Sequence, residues 1–242
     1  MSSPEYYAQP GTYQELGFEE RLSLLTVEEL TCRENRKAER LIKHARFRLN
    51  AELSKLDYRN NRGLDRALIR SLSQGNWLTL KQNILLTGAT GSGKTFLACA
   101  LGHNACRQGY KVYYYRLKAL MEQCYQGHAD GRYSKLLTRL NNSDLLLLDD
   151  WGLEPLSSEQ RSDLLEIVDL MYQRGSIIVV SQLPVENWYK MIGCVFRSIR
   201  SRICQIMIDS NANSPISFTV IRSIKAFHVI VKCTTWQIRD NQ

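Results

Sequence analysis

NILLTGATGSGKTFLACAL, residues 83–101, holds three things in nineteen positions: a short apolar run, a glycine-rich octet and a helical pattern. The octet, Gly88–Thr95, fills every fixed position of G-x-x-x-x-G-K-[ST]. Glycines are needed there because backbone N–H groups must turn inward around an anion, where a side chain would obstruct. In this pattern Lys94 supplies a point charge for β- and γ-phosphates and Thr95 a hydroxyl for Mg²⁺. Ala89, Thr90, Gly91, Ser92 and Gly93 complete the cradle between Gly88 and Lys94. The helix that follows presents N–H groups and a positive dipole end to the same anion. The preceding strand and following helix are the context the pattern requires.

Moving outward, Leu145–Gly152 reads LLLLDDWG. Four leucines make a strand buried on both faces, and its end carries two adjacent carboxylates. An apolar strand ending in an acid, downstream of a phosphate loop, is where such a fold holds Mg²⁺. Asp149 is therefore expected on the metal side, through water. Asp150 either orients and deprotonates an attacking water or is a loop carboxylate. Trp151 reads as packing. The run IIVV (177–180) ends in Ser181-Gln182, where a polar side chain either meets the γ-phosphate or simply leaves the sheet.

The runs NILLT (83–87), KVYYY (111–115), DLLLL (144–148) and IIVV (177–180) have strand length and composition. TFLACALGHNACRQG reads as a helix ending at Gly109, and SSEQRSDLLEIVDLMYQRG as another. In the second, Ser157 and Gln160 form a capping box, with Leu164, Leu165, Val168 and Met171 along one stripe. Strand–helix alternation predicts an α/β fold of the P-loop NTPase type: three α/β/α layers with a mostly parallel sheet, its ligand at the strands' carboxyl ends. A helical region precedes it, in which Leu41, Ala45, Leu49 and Leu53 recur at i+4 within a basic helix over 33–55. The expected organisation is a basic helical part over 1–70, an ATPase core over 71–193 and a separate tail over 194–242.

Charge is unevenly spread through the 242 residues. Residues 1–30 carry a net −5, 33–70 a net +7, 71–193 a net +1 and 194–242 a net +5. A near-neutral middle between basic segments fits a protein that handles nucleic acid, and also solvated helices of ordinary charge. Seven cysteines (32, 99, 106, 124, 194, 204 and 233) are odd in number and form no CxxC pair. They read as reduced thiols, with Cys99 and Cys106 filling space on a helix, and not as a zinc site. No basic-then-apolar leader is seen, and no apolar run reaches the roughly 18–20 residues that cross a bilayer. A cytoplasmic protein with no membrane partner is expected.

With these residues placed, the chain resembles the IstB-type transposon helper ATPases, a branch of the AAA+ proteins related to the DnaC helicase loaders. The resemblance runs over roughly 15–193. It is carried by NILLTGATGSGKTFLACALGHNACRQGYKVYYYRL (Walker A unit), LLLLDDWGLEPLSSEQRSDLLEI (Walker B unit), VVSQLPVENWYKMIG (sensor 1) and the N-terminal stretch from FEERLSLL onward. It implies an ATP- and Mg²⁺-dependent ATPase that assembles as a homo-oligomer on double-stranded DNA, remodels it and directs a transposase. Lys94, Asp150 and Gln182 would then be catalytic, and Thr95 and Asp149 would serve the metal. Asp150 stands where many AAA+ proteins carry Glu. Arg36, Lys37, Arg40, Lys43, Arg46 and Arg48 would neutralise DNA phosphates. No helix-turn-helix or zinc pattern points to base reading.

After Gly193 the likeness stops. Arg202 is the candidate subunit-bridging arginine, at a short spacing, and ISFTVI or FHVIVK would supply a last strand. The tail is either a divergent lid or the product of a rearranged reading frame. Two other readings are kept: a copy that binds nucleotide without turnover, and a P-loop small-molecule kinase.

Overall fold

β-Branched and leucine-rich runs bounded by turn residues form the sheet because their side chains are buried on both faces. In the computed structural model, which describes residues 16–56, 66–184, 187–188, 206–210 and 219–220, the strands are β1 (Ile84–Gly88), β2 (Val112–Arg116), β3 (Leu145–Trp151), β4 (Ser176–Ser181), β5 (Ile206–Ser210) and β6 (Thr219–Val220). Their order is β2-β3-β4-β1-β5-β6, with β1 to β5 parallel and β6 antiparallel. The helices are α1 (Phe18–Ala45), α2 (Arg66–Ser73), α3 (Asn76–Thr79), α4 (Lys94–Arg107), α5 (Leu117–Asp130), α6 (Tyr133–Asn141) and α7 (Ser158–Met171).

Strand order and connection handedness together fix where the helices lie. From β1 the chain moves outward to the edge strand β2, then steps back through β3 to β4. Right-handed crossovers in opposite directions place their helices on opposite faces. One face accordingly packs Leu85, Leu146, Leu148 and Val179 against α5, α6 and α7. The other packs Ile84, Leu86, Leu145, Leu147 and Ile178 against α4, α2, α3 and the rear of α1. This is the expected three-layer α/β/α arrangement.

The expected strand runs agree with β1 to β4 to within a residue at their starts, and β3 continues through both aspartates to Trp151. The capping box is present: Gln160 N donates to Ser157 Oγ at 3.2 Å and Ser157 N to Gln160 Oε1 at 3.0 Å. The buried stripe of α7 uses Ile167 with Leu164, Val168 and Met171, and Leu165 is only partly buried. Gly109 adopts φ 88° after α4, where Tyr110 N bonds Ala105 O at 3.0 Å and closes the helix.

Two expectations are corrected. The basic helix over 33–55 is in fact the rear of a longer helix that stops at Ala45. Arg46 takes φ 55° and caps it, so Leu49 and Leu53 leave the i+4 stripe. Leu49 is exposed, and Leu53 lies in a 3-10 turn at Leu53–Lys55. The second concerns the last parallel strand, which is IMIDS at Ile206–Ser210, seated beside β1. ISFTVI supplies only the two-residue β6, while FHVIVK and Arg202 lie outside the described residues. A run of only five residues with an acid inside it gave little periodicity to read.

Among the described residues, Cys99, Cys106 and Cys124 are buried free thiols. Burial pushes the Cys106 and Cys124 thiols up to about 12, so they fill space as neutral groups. No group of three or more His, Cys, Asp or Glu among the described residues suits a metal ion, and no described helix is long and apolar enough to cross a membrane.

Candidate functional site

The loops after β1 and β3 leave toward opposite faces, and β4 lies between these strands. Three carboxyl ends therefore open onto one crevice, the place where parallel sheets bind ligands. The glycine-rich octet begins at the end of β1. Gly88, Gly91 and Gly93 take φ of 144°, 80° and 88°, in the region that L side chains avoid. No atom lies within 4 Å of where a Cβ would stand on Gly91 or Gly93, so conformation and not crowding demands glycine there. Gly93 caps α4, whose first turn points N–H groups into the loop. Ala89, Thr90, Gly91 and Gly93 are exposed while Lys94 is buried. The Lys94 ammonium donates to Gly88 O at 2.8 Å, Ala89 O at 2.6 Å and Ser92 Oγ at 3.2 Å. A glycine-rich loop bent over a lysine, running into a helix N-terminus, suits the charge of a polyphosphate.

The end of β3 carries the acids on a bulge. From Leu148 to Trp151 β3 advances three residues while β4 advances two, from Val179 to Ser181. Asp150 is the extra residue and sits at φ 57°. The bulge reverses the alternation, so Trp151 joins Leu146 and Leu148 on one face while Asp149 keeps to the α4 face with Leu147. Trp151 is fully buried against Trp188, at a centroid distance of 5.3 Å, as packing requires.

Asp149 is 1% exposed and held from three sides. Thr95 Oγ1 donates to its Oδ1 at 3.3 Å, Asp150 N to the same oxygen at 2.8 Å, and Tyr114 Oη to its Oδ2 at 2.7 Å. Burial, then the hydrogen bond to Asp149, drives the Tyr114 hydroxyl well above its ordinary range, so it stays a proton donor. The hydroxyl and carboxylate expected to serve Mg²⁺ are thus within one hydrogen bond of each other. Hard oxygen donors of this kind suit that ion.

Asp150 is held differently. Its Oδ2 accepts from Arg116 Nε at 2.6 Å, in an ion pair whose arginine is 57% exposed. Ser181 and Gln182 also divide. Ser181 is buried, donates to Trp151 O at 2.9 Å and accepts from Leu183 N at 3.1 Å, which is the work of a strand end. Gln182 Oε1 accepts from Thr90 Oγ1 at 2.7 Å and joins β4 to the glycine-rich loop.

Tyr114 and Arg116 escaped the sequence reading. They alternate on β2, and Arg116 pairs in register with Asp149. The signal was the KVYYYR run, but it has meaning only once β2 is known to neighbour β3. Of the six candidate DNA contacts, Arg36, Lys37, Arg40 and Lys43 lie along the rear of α1, Arg46 caps it and Arg48 follows; all six are exposed. Arg48 stands apart from the rest, with its charge close enough to oppose the rise of the Tyr114 and Cys99 pKa values.

A family model for IstB-like ATP binding proteins matches residues 1–198. The ATP-binding protein of insertion sequence IS1162 from Pseudomonas fluorescens is 46% identical over 181 residues, 74% of this chain and 78% of that protein. An insertion-sequence ATP-binding protein of Sinorhizobium fredii is 44% identical over 183 residues, 76% of this chain and 75% of that one. Among solved structures, the DnaC helicase loader superposes with TM-score 0.55 at 21% identity, covering 67% of this chain and 96% of that one. AMPPCP-bound DnaA from Aquifex aeolicus gives 0.59 at 20% identity, covering 68% and 51%. At such identities the likeness is one of fold, and that fold is the P-loop AAA+ type.

Proposed function

The chain belongs to the IstB-like ATP-binding protein family, and from that premise we propose that it is an ATPase that assists DNA transposition. In this reading the protein binds ATP and Mg²⁺ at Gly88–Thr95 and hydrolyses ATP while assembled on double-stranded DNA. It reads no bases and directs a transposase to its target. The observation that carries it is the convergence of the glycine-rich loop, Thr95 and Asp149 at one crevice, with Gln182 bonded to the loop. The organisation that goes with it is a basic helical part before residue 71 and an ATPase core over 71–193 whose sheet is extended by β5 and β6 of the tail, in a cytoplasmic protein.

In this role Lys94 neutralises the β- and γ-phosphates and the α4 N-terminus orients them. Bound Mg²⁺ would offset charge that develops as the terminal phosphate leaves. Thr95 and Asp149 hold that side of the site, with Tyr114 fixing the Asp149 carboxylate. Asp150 accepts a proton from the attacking water once its carboxylate turns from Arg116.

A second reading, nucleotide binding without turnover, draws support from the Arg116–Asp150 pair, which engages the expected base. DNA-stimulated ATP hydrolysis that vanishes in Lys94→Ala supports the main reading. Tight ATP binding with no turnover on any DNA would favour the second. Phosphate transfer to a nucleoside or other metabolite would instead make the protein a kinase.

A further inference from the structure

Residues 46–56 leave the end of α1 and cross α4 as a strap. Phe47 seats where Gly102 leaves room, since a Cβ on Gly102 would stand 2.5 Å from the Phe47 Cε1. The Phe47 ring also meets His103, with centroids 4.4 Å apart. Ala51 is fully buried against Cys99 and Ala100. Glu52 Oε1 accepts from Arg107 Nη2 at 3.0 Å, and the Leu53–Lys55 turn closes the crossing. The small residues Cys99, Ala100 and Gly102 give α4 a low side on which the strap lies.

Between Phe47 and Ala51 the strap passes the nucleotide crevice. The main-chain N–H groups of Arg48 and Leu49 are directed at the Cys99 sulfur. Cys99 lies one helical turn beyond Thr95 on α4, and the Thr95 hydroxyl bonds Asp149. Tyr114 packs on the same Ala51–Cys99–Ala100 cluster and donates its hydroxyl to the other Asp149 oxygen. The backbone of Arg48 is therefore pinned beside both groups that hold Asp149. Its side chain is exposed, and its charge is felt at Tyr114 and Cys99, as is that of Asp149. On its other side stands the basic rear of α1, with Arg40, Lys43 and Arg46 exposed. Arg48 occupies the point where the field of that helix meets the field of the crevice.

We propose that Arg48 is a positioning residue for the metal side of the crevice, and that a phosphodiester on the rear of α1 draws it away from Asp149. The proposal rests on the ATP-, Mg²⁺- and DNA-binding reading given above. With α1 free, the guanidinium leaves part of its positive field on Asp149 and opposes a divalent cation there. A phosphate on α1 competes for the same guanidinium, in the forked geometry that arginine favours. The exposed side chain turns outward and that opposition is relieved. Binding of duplex and of the Mg²⁺–nucleotide then favour each other, by the same factor in each direction.

The test reads binding and needs no turnover. Affinity of the full chain for a fluorescent, non-hydrolysable ATP analogue is measured at fixed free Mg²⁺, with and without a duplex of arbitrary sequence. The same pair of titrations is repeated in chelator. In the parent, duplex should tighten analogue binding about threefold with Mg²⁺, the effect of one partly screened charge near the ion, and should not tighten it in chelator. Arg48→Gln should abolish this response, and without duplex should bind the Mg²⁺–analogue about threefold more tightly than the parent. Its duplex binding should lose only about 0.9 from the slope of log K against log salt, the share of one phosphate. Arg48→Lys keeps the charge and should keep the response. A residue that only held the strap in place would not separate these readouts by metal or by charge. A duplex response in Arg48→Gln equal to the parent's would overturn the proposal. So would no response in a parent that binds both ligands; either result leaves the proposed function standing. A parent that binds neither analogue nor duplex would overturn both.

Discussion

The carboxyl ends of β1 and β3 carry two halves of the proposed site, and they are built on opposite plans. At β1 the contacts of Lys94 are local, reaching Gly88, Ala89 and Ser92, all within six residues. At β3 they come from elsewhere: Thr95 lies 54 residues from Asp149, Tyr114 lies 35, and Arg116 lies 34 from Asp150. The first end depends mainly on backbone shape within one loop, with one tie to β4 through Thr90 and Gln182. The second depends on which strands lie side by side. One loop substitution should therefore disable the first, whereas the second should respond in degrees to residues on β2.

The largest expected effect breaks the β1 half. Lys94→Ala should lower ATP turnover by about 100-fold or more, as loss of a preorganised charge does, with the fold retained by circular dichroism. A variant with parent-like steady-state rates would show that the local plan is not what operates. Tyr114→Phe tests the imported half. If Asp149 serves the metal as proposed, removing its outer partner should raise the Mg²⁺ concentration for half-maximal activity by about 10-fold or more, while ATP affinity without metal holds. Equal Mg²⁺ dependence in both proteins would mean that Asp149 needs no support from β2.

Arg116→Ala is a smaller change. An exposed ion pair contributes about 0–1 kcal/mol, so denaturant midpoints should barely move and ATP affinity should stay level. Turnover per site should shift, since Asp150 loses its partner; a simultaneous drop in ATP affinity would place Arg116 in binding instead. The smallest effect concerns His103 on α4, which packs against Phe47 with centroids 4.4 Å apart. Burial, then the nearby Arg107, holds its pKa below the usual 6.5. The unfolded chain then binds that proton more readily than the folded one. The stability this contributes is complete above pH 6.5 and is lost as pH falls through the lowered value. His103→Gln should flatten this part of the stability profile, and an unaltered profile would exclude the residue.

The same contrast explains what was legible in the sequence. Gly88, Gly93, Lys94 and Thr95 could be read because one octet fixes their geometry, and the Ser157–Gln160 cap because it spans four residues. The position of Asp149 toward the carboxyl end of β3 could be read from the apolar run before it. The contacts of Tyr114 and Arg116 could not, because they follow from β2 lying beside β3. The bulge at Asp150 was hidden too: it is one inserted residue, visible only against the register of β4. The end of α1 is hidden as well, because the i+4 pattern of Leu41 and Ala45 continues past the left-handed turn at Arg46.

That helix has an electrical consequence. Its front carries Glu19, Glu20, Glu28 and Glu29 against one arginine, and from Arg33 to Arg48 the chain carries seven cations against two acids. The order opposes the helix macrodipole at both ends and so steadies a rod whose front half is largely exposed among the described residues. Over 28 residues the rod extends about 42 Å, with one sign of charge at each end. In the field of a polyanion it experiences a torque as well as an attraction, so the molecule turns its basic end forward before contact. Association should be fast at low salt and slow steeply as counterions accumulate. The rate would carry the signature of alignment even where the final affinity did not.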